Sequence, residues 1–382
     1  MAVTALAAEL RAAGRDVIGL GAGEPDFDTP EHIGDAAIEA IRAGRTRYTA
    51  VDGIAELREA AAEKFRRDNG LDYPADHVIV SGGAKQICYN VCQALLDPGD
   101  EAVIPAPYWV SYPDMVRLAS AEPVIVETDL GSGFRMRPEQ LEAALTPRTR
   151  LLFLNSPGNP SGAGYTRAQL AALGEVLSAY PDVVVATDEI YEHIWWADEP
   201  FCSFATACPA LFERTVTING VSKCYAMTGW RIGYAAGTAT LIGAMKKIQS
   251  QSTSNACTVS QYAALAALTG DQSCVTEMTR AFRQRHDFVV DALNAIDGVT
   301  CRPGEGTFYA FADARGVIRR LGLADDTDLC HMLLNEAGVA VVPGSAFGTA
   351  GHFRLSFACG LDTLHDALGR LESALGGRDA LA

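Results

Sequence analysis

Short apolar runs alternate with amphipathic, helix-like stretches along most of the chain. The runs are nearly continuous rather than alternating, a pattern typical of strands that are buried on both faces. Strands of this kind, separated by helices, predict a parallel or mixed sheet that is covered by helices on both sides. The predicted strands lie at residues 78–80, 101–105, 151–154, 183–186, 216–218 and 232–236.

The pattern changes in the last hundred residues, where apolar runs lie among several helices and no long series of strands follows. This change predicts a second, smaller α/β unit after the main sheet. A long polar helix would connect the two parts. The predicted elements here are strands at 308–312, 339–342 and 353–357 and helices at 277–294 and 326–336.

The composition excludes several classes of protein. The chain has 382 residues, of which 48% are hydrophobic, as in an ordinary globular protein. Its formal net charge of -16 argues against binding to nucleic acid or to an anionic membrane, although local basic residues still allow an anionic substrate. Residues 1–15 do not form a secretory signal, and no run of 18 apolar residues predicts a membrane span.

The ten cysteines indicate neither a disulfide framework nor a metal site. None stands in a C-x-x-C pair, and histidine or cysteine partners at zinc-ligand spacing are missing. We therefore expect free thiols in a reducing cytoplasm and no bound metal.

Two common nucleotide-binding motifs are absent or incomplete. The chain has no G-x-x-x-x-G-K-[ST] sequence, which excludes a P-loop ATPase. Residues 19–23 (Gly-Leu-Gly-Ala-Gly) begin like a dinucleotide fingerprint, but Glu24 takes the third glycine position and Pro25 blocks the expected helix. A nicotinamide cofactor is thus disfavoured.

Small and polar residues follow the apolar runs, where ligands of open α/β sheets bind. Residues 81–84 (Ser-Gly-Gly-Ala) and Lys85 follow one run and open a helix, which suits a phosphate group. Residues 155–162 (Asn-Ser-Pro-Gly-Asn-Pro-Ser-Gly) follow another run and form a rigid polar loop. Taken singly, an ordinary turn explains each segment as well.

Asp188 and Tyr191 follow the run at 183–186. A carboxylate and a phenol at this spacing can flank a flat heterocycle, the first pairing with a ring N–H and the second donating to a ring oxygen. A solvated strand end is the alternative interpretation.

Three basic residues are candidates for binding anions or for covalent chemistry. Lys223 follows the run at 216–218, and a lysine in a pocket at a strand end can form a Schiff base. Arg231 stands eight residues later and suits a phosphate dianion. Arg354 lies in an apolar run and needs an anionic partner, either a substrate carboxylate or a structural ion pair. A lone lysine in a loop is more often a solvated surface residue.

The order of these segments resembles that of the class I aminotransferases, which are fold type I pyridoxal-phosphate enzymes. The resemblance extends from about Gly19 to Ser356 and is greatest to bacterial aspartate aminotransferases, some of which also act on prephenate. Segments 23–27, 107–113 and 226–231 carry this closer likeness. The ordered motifs are Gly82-Gly83-Ala84-Lys85, Pro107-Tyr108-Trp109, Asn159-Pro160-Ser161-Gly162, Asp188-Glu189-Ile190-Tyr191, Ser222-Lys223 with Arg231, and Arg354-Leu355-Ser356.

The resemblance implies a large domain at residues 33–280, in which a mixed, mostly parallel sheet lies between helices. It implies a smaller α/β domain built from residues 1–32 and 281–382. The implied activity is transfer of an amino group between aspartate or glutamate and a 2-oxo acid, with pyridoxal 5'-phosphate as the cofactor.

The resemblance also implies how the cofactor ring is held. Lys223 would bind it as a Schiff base and later move a proton, and Asp188 would keep the ring nitrogen protonated. Tyr191 and Asn159 would hydrogen-bond the ring oxygen, and Trp109 would stack on the ring. The reaction develops negative charge beside a carboxylate, so it needs a protonated ring, a movable base and a fixed substrate.

The phosphate and the subunit contacts follow from the same likeness. Gly83, Ala84, Ser222 and Arg231 would hold the cofactor phosphate, with Lys85 in the same loop. Tyr48 would reach the phosphate of a neighbouring subunit, so the resemblance implies a homodimer with shared active sites.

Substrate recognition is also implied by the family. Arg354 would grip the α-carboxylate, helped by the backbone of Gly23 and by Asn159, with Trp109 in the substrate wall. Lys85 is the candidate for the distal carboxylate of a dicarboxylic substrate. Two cations for two carboxylates favour an aspartate-type aminotransferase over a β-lyase or decarboxylase of the same fold. An aminotransferase for prephenate, aromatic or specialised substrates stays the alternative, and the intact Lys223 speaks against a regulator without turnover.

Two departures from the family pattern bear on these expectations. Family members usually carry a further stretch before the segment that matches residues 2–20, so we expect closure over the substrate to differ. Ala84 stands where close relatives frequently have glycine, and we expect its methyl group to be tolerated.

Overall fold

The computed structural model describes residues 2–376 and consists of sheets enclosed by helices. The helices are α1 (Ala2–Ala12), α2 (Glu31–Arg42), α3 (Ala55–Asn69), α4 (Ala84–Leu95), α5 (Tyr112–Leu118), α6 (Pro138–Ala144), α7 (Arg167–Leu177), α8 (Phe204–Ala207), α9 (Ala239–Ser252), α10 (Thr258–Thr269), α11 (Ser273–Asn294), α12 (Arg315–Leu321), α13 (Asp326–Met332) and α14 (Leu361–Leu375). The strands are β1 (Ile18–Gly19), β2 (Val78–Ser81), β3 (Glu101–Ala106), β4 (Glu122–Glu127), β5 (Thr149–Asn155), β6 (Val184–Asp188), β7 (Thr215–Gly220), β8 (Gly233–Ala236), β9 (Thr300–Cys301), β10 (Tyr309–Asp313), β11 (Val339–Ala340), β12 (Val342–Pro343) and β13 (His352–Ser356).

The main sheet has seven strands in the order β2-β8-β7-β6-β5-β3-β4. β8 runs antiparallel to both of its neighbours, and the remaining pairs are parallel. The predicted α/β fold with a mixed, mostly parallel sheet between helices is confirmed.

Both faces of this sheet are buried, which is why its strands read as continuous apolar runs. In β5, Leu151 and Phe153 pack in the hydrophobic cluster that includes residues of α4 and α5. Leu152 and Leu154, on the opposite face, pack in a different cluster with residues of α6 and α7. Burial on both faces leaves the strand ends as the places where polar side chains collect.

The C-terminal part contains a four-stranded antiparallel sheet in the order β12-β13-β10-β9. β1 pairs in parallel with β11, so the N-terminal segment lies against the C-terminal part. The proposed division into 33–280 and 1–32 with 281–382 stays a prediction, and its boundary at 280/281 falls inside the continuous helix α11.

Two predicted elements differ in detail from the observed ones. The predicted strand at 339–342 is two strands in different sheets, because β11 pairs with β1 while β12 pairs with β13. The predicted helix at 326–336 is α13 followed by a π-helical turn at Leu333–Ala337. Within residues 2–376, none of the helices combines the length and the apolar character that crossing a membrane requires.

Candidate active site

The sheet topology brings the loops that carry predicted site residues to one end of the strands, the carboxyl end of the parallel ones. Asn155 at the end of β5 lies beside Asp188 at the end of β6, and Asp188 pairs with Ile218 in β7. Because β8 is antiparallel, its beginning at Gly233 lies opposite Ser81, the last residue of β2. The loops after β2, β5, β6 and β7 and the loop before β8 therefore meet above this end of the sheet.

Asp188 is a buried carboxylate without a cationic partner among residues 2–376. It is 5% exposed, accepts a hydrogen bond from the Tyr112 hydroxyl at 2.7 Å, and accepts one from the Ile190 N–H at 3.3 Å. Burial raises the pKa of Asp188, against the lowering effect of these hydrogen bonds and of Lys223. A cationic or N–H group that approached this carboxylate would relieve the cost of its burial.

Lys223 lies in the loop after β7 and points across the cleft. Its Nζ donates a hydrogen bond to the Gly23 carbonyl oxygen at 2.6 Å. Burial lowers the pKa of Lys223 to about 8, opposed by the Glu24 carboxylate and assisted by the Arg231 and Arg354 guanidinium groups. The neutral, nucleophilic amine is thus accessible near neutral pH.

Gly83, Ala84 and Arg231 form a small cradle beside the beginning of α4. A Cβ at Gly83 would lie 2.5 Å from Arg231 Nη2, so the guanidinium packs directly on Gly83, where a side chain would displace it. Gly233 fits so tightly against the Gly83 and Ala84 backbone that a side chain there would collide with it. Ser222 is buried in the loop after β7, next to Lys223 in the chain.

Arg354 and Asn159 form the opposite wall of the cleft. Arg354 is 7% exposed; its Nη1 donates to Asn159 Oδ1 at 2.9 Å and its Nη2 to the Gly21 carbonyl oxygen at 2.7 Å. Its Nε is buried without a hydrogen-bond partner among the described residues. The guanidinium has no carboxylate partner in that part of the chain, which leaves it available to an anionic ligand.

Tyr191 lies at the floor of the cleft and is 4% exposed. Its hydroxyl oxygen is 3.1 Å from that of Tyr309, at the beginning of β10. Burial raises the pKa of Tyr191 well above its ordinary value, so the phenol stays protonated and is able to donate.

Of the remaining predicted residues, Lys85 and Trp109 contact each other at the rim of the cleft, and Tyr48 lies on the exposed surface. Lys85 Nζ is 4.8 Å from the centre of the Trp109 ring, and Lys85 and Arg231 both line a pocket of about 640 Å³. Tyr48 is 91% exposed, so its side chain packs against little of its own chain.

Sequence reasoning missed three aromatic contacts of the cleft. Tyr112 lies within the segment 107–113, but its hydrogen bond to Asp188 has no signal in the local sequence. Tyr309 and Phe347 cover the Arg354 guanidinium at 4.4 and 4.9 Å from their ring centres. Tyr309 stands in an apolar run and Phe347 in a glycine-rich segment, so neither position indicates a contact with Arg354.

Comparison with known proteins identifies the family of the chain. The sequence family described as aminotransferase class I and II matches residues 15–371. A protein of Nitrosomonas europaea named aspartate/prephenate aminotransferase is 54% identical over 381 residues, covering 98% of this chain and 96% of its own length.

Solved structures show the same fold over nearly the whole chain. The crystal structure of the aspartate aminotransferase from Rhizobium meliloti has a TM-score of 0.94 at 50% identity, covering 98% of this chain and 94% of that one. The aspartate aminotransferase of Thermus thermophilus with maleate has a TM-score of 0.91 at 46% identity, covering 98% and 96%. The resemblance read from the order of the motifs is confirmed, and the chain belongs to the class I and II aminotransferases.

Proposed function

We propose that this aminotransferase uses pyridoxal 5'-phosphate to move an amino group between aspartate or glutamate and a 2-oxo acid. The observation that carries the proposal is the pairing of a buried, unneutralised Asp188 with a half-buried Lys223 in one cleft. The cofactor supplies a ring that withdraws electrons and stabilises negative charge at the substrate α-carbon.

The donor set of the cleft fits this cofactor. The Asp188 carboxylate suits a ring N–H, because it lacks a cationic partner among the described residues. The Arg231 guanidinium, held against the Gly83 backbone at the beginning of α4, suits a phosphate dianion. The unpartnered Arg354 Nε suits a carboxylate.

Each residue has a distinct task in the proposed reaction. Lys223 Nζ would hold the cofactor covalently and would be the base placed to carry a proton to and from the substrate α-carbon. Asp188 would hold a proton on the ring nitrogen. Tyr191 and Asn159 would hold the ring oxygen, and Trp109 would cover a ring face.

The phosphate would be held by Gly83, Ala84, Ser222 and Arg231. These residues combine an open loop at a helix N-terminus with one guanidinium group, an arrangement that favours a dianion. The Ala84 methyl group is accommodated in the fold, since the residue is buried at the beginning of α4.

Substrate selection depends on two cations at different depths. Arg354 is buried and would grip the α-carboxylate, with the Gly23 backbone and Asn159 as the expected additional contacts. Lys85 at the rim receives the distal carboxylate; its ammonium rests on Trp109, in position to swing toward a ligand. The names of the Nitrosomonas europaea and Rhizobium meliloti relatives support aspartate, and the first also favours prephenate as a second candidate.

We further propose a homodimer in the cytoplasm. The 91% exposed Tyr48 supports a shared site, because an aromatic side chain left in water is available to a partner's phosphate. All ten cysteines are free, as expected in a reducing compartment.

Borohydride reduction tests the cofactor and its attachment. The purified protein should absorb in the visible range, and reduction followed by peptide mass spectrometry should place the adduct on Lys223. A Lys223→Arg variant keeps the charge and serves as the control that cannot be labelled. An adduct on another lysine, or none, would falsify the proposal.

Lys85→Ala tests recognition of the distal carboxylate. The KM for aspartate should rise about tenfold, while the KM for alanine should change little, because alanine has no second carboxylate. Lys247→Ala, an exposed lysine in α9, is the matched control. An equal effect on both amino acids would remove Lys85 from substrate recognition.

A further inference from the structure

We propose that Tyr309 is a positioning residue of this active site, whose hydroxyl directs Tyr191 and whose ring supports Arg354. The inference rests on the proposed function, since it concerns how two of the proposed ligands are kept in place. Tyr309 would thus connect Tyr191, the proposed ligand of the cofactor ring oxygen, with Arg354, the proposed ligand of the substrate carboxylate.

The hydroxyl of Tyr309 is committed to Tyr191. The two oxygen atoms are 3.1 Å apart, and neither hydroxyl has another hydrogen-bond partner among residues 2–376. Tyr309 is 1% exposed and Tyr191 is 4% exposed, so bulk water does not compete for this bond. Buried hydroxyl groups with one mutual partner orient each other strongly.

The direction of donation follows from proton counting. A phenol has one proton, and Tyr191 uses it when it donates to a ring oxygen of the bound cofactor. Tyr191 must then accept from Tyr309, which gives a chain from Tyr309 to Tyr191 to the ring oxygen. Successive hydrogen bonds polarise one another, so the Tyr309 hydroxyl makes Tyr191 a stronger donor.

The ring of Tyr309 supports the second contact. The Arg354 guanidinium carbon lies 4.4 Å from its centre, a cation–π distance. Strand register explains this placement: Arg354 in β13 lies opposite Phe311 in β10, and Tyr309 projects from the same face two residues earlier. The aromatic platform keeps the guanidinium in place while Asn159 and Gly21 hold two of its nitrogens.

A third contact ties Tyr309 to Lys223. A Cβ at Gly23 would lie 3.0 Å from the Tyr309 hydroxyl oxygen, so the Gly23 backbone packs directly against that hydroxyl. The Gly23 carbonyl oxygen in turn accepts the hydrogen bond of Lys223 Nζ. Tyr309 therefore touches the surroundings of the lysine, the ring-oxygen ligand and the carboxylate ligand.

Tyr309→Phe tests the hydroxyl while keeping the ring. A strong donor at the ring oxygen favours the form that has lost the proton shared between that oxygen and the lysine-bound nitrogen. Loss of the Tyr309 hydroxyl should raise the pH midpoint of the visible absorbance titration by about half a pH unit. Glu24, Arg231, Arg354 and Asp188, the charged groups around Lys223, are unchanged in this variant.

Three further variants make the result specific. Tyr73→Phe removes a hydroxyl with the same 3.1 Å partner distance, to Thr217, outside the cleft and should leave the midpoint unchanged. In a Tyr191→Phe background, Tyr309→Phe should add no further shift, because the chain is already broken. Tyr309→Leu removes the platform as well and should weaken binding of the dicarboxylate maleate severalfold, whereas Tyr309→Phe should leave it nearly unchanged.

Failure of the proposed Tyr309 role can be distinguished from failure of the proposed function. If borohydride labels Lys223 but Tyr309→Phe titrates like the unmodified protein, the positioning role is wrong and the proposed function stands. A shift that persists in the Tyr191→Phe background also overturns it, since the hydroxyl would then act by another route. If Lys223 is not labelled, the proposed function itself fails. Melting temperatures of the cofactor-free proteins show whether each variant is folded.

Discussion

Two polar regions lie on either side of the Tyr191–Glu192 peptide. One leaves charged groups without partners, and the other pairs them within the protein. The first is the active-site cleft of Asp188, Lys223 and Arg354. The second is a buried ion-pair cluster, which we define as Lys64, Asn69, Glu192 and Asn219. Both are embedded in the same fold, and the difference between them is the completeness of their hydrogen bonds.

The buried ion-pair cluster is satisfied internally. Lys64 has no exposed surface and contacts the Glu192 carboxylate, and its Nζ donates to Asn69 Oδ1 at 2.8 Å. Asn69 and Asn219 donate to the two oxygens of Glu192 at 2.6 and 2.8 Å. Asp68 and His193 approach the same carboxylate, but the Lys64 ammonium already supplies the cation there.

The cleft leaves its charges unmatched. Asp188 faces a phenol rather than a cation, and Arg354 keeps one buried N–H without a partner among the described residues. Such groups lower the stability of the ligand-free protein, and a complementary ligand that pairs with them removes this penalty. Asp188 and Arg354 therefore differ from the ion-pair cluster in lacking oppositely charged partners among the described residues, which a complementary ligand would supply.

The largest expected effect comes from breaking the ion-pair cluster. Lys64→Met should lower the free energy of unfolding by about 3 to 5 kcal/mol, because it leaves Glu192 buried without its cation. Urea denaturation at fixed protein concentration measures this. The control is Lys246→Met, whose half-exposed ion pair with Asp52 is expected to contribute about 1 kcal/mol or less.

A second variant decides whether the loss comes from the unpaired charge. Replacing both partners, as Lys64→Met with Glu192→Leu, should recover part of the stability. A cost below that of Lys246→Met would contradict the description of the cluster as a satisfied structural unit.

A smaller but specific effect is expected in the cleft. Asp188→Asn should lower kcat about 100- to 1000-fold while the cofactor stays bound, because an amide cannot stabilise a protonated ring nitrogen. The melting temperature should not fall, since no ion pair of the described chain is broken. Steady-state kinetics and calorimetry give both values.

Glu189→Gln is the matched control for Asp188→Asn. Glu189 is the adjacent buried carboxylate, but it accepts hydrogen bonds from Thr187, Ser203 and the Phe204 N–H, away from the cleft chemistry. Its replacement should lower stability and change kcat by no more than a few fold. Near-normal turnover of Asp188→Asn would show that Asp188 does not hold the ring proton.

The smallest expected effect is the pH dependence of the cost of burying Lys223. Its pKa is lowered from 10.5 to about 8 by burial, so the unfolded chain binds more protons between these values. Folding stability of the cofactor-free protein should therefore rise with pH in that window. Lys223→Met should be the more stable protein at pH 7, and the difference should shrink by pH 10.5.

Thermal melting at pH 7, 9 and 10.5 checks this prediction. Lys85→Met, which changes an exposed lysine, is the matched control. A Lys223→Met difference that stays constant across the window would show that burial of the lysine ammonium carries no cost.

Much of the fold and of the candidate site could be predicted from local sequence. The strand at 183–186 and the acidic residue after it stand next to each other in the chain, and β6 does end at Asp188. Hydrophobic continuity marks a buried strand, and turn residues mark its end, so both signals are local.

Contacts between distant segments could not be predicted in this way. Lys64 lies in a charged stretch of α3 and reads as a surface residue, yet its partner Glu192 is 128 residues away. Tyr309 reads as a strand residue of the core, and its partner Tyr191 is 118 residues away. The run 339–342 gives no sign that consecutive residues join different sheets.

Arg231 has a left-handed backbone conformation, with φ at 58°. An arginine pays a steric penalty there that glycine does not, of about 1 to 2 kcal/mol. A directed-evolution experiment that selects heat resistance alone would therefore reward glycine at 231 and remove a guanidinium group from the cleft. Engineering of this scaffold for industrial temperatures should hold position 231 constant and look for its gains elsewhere.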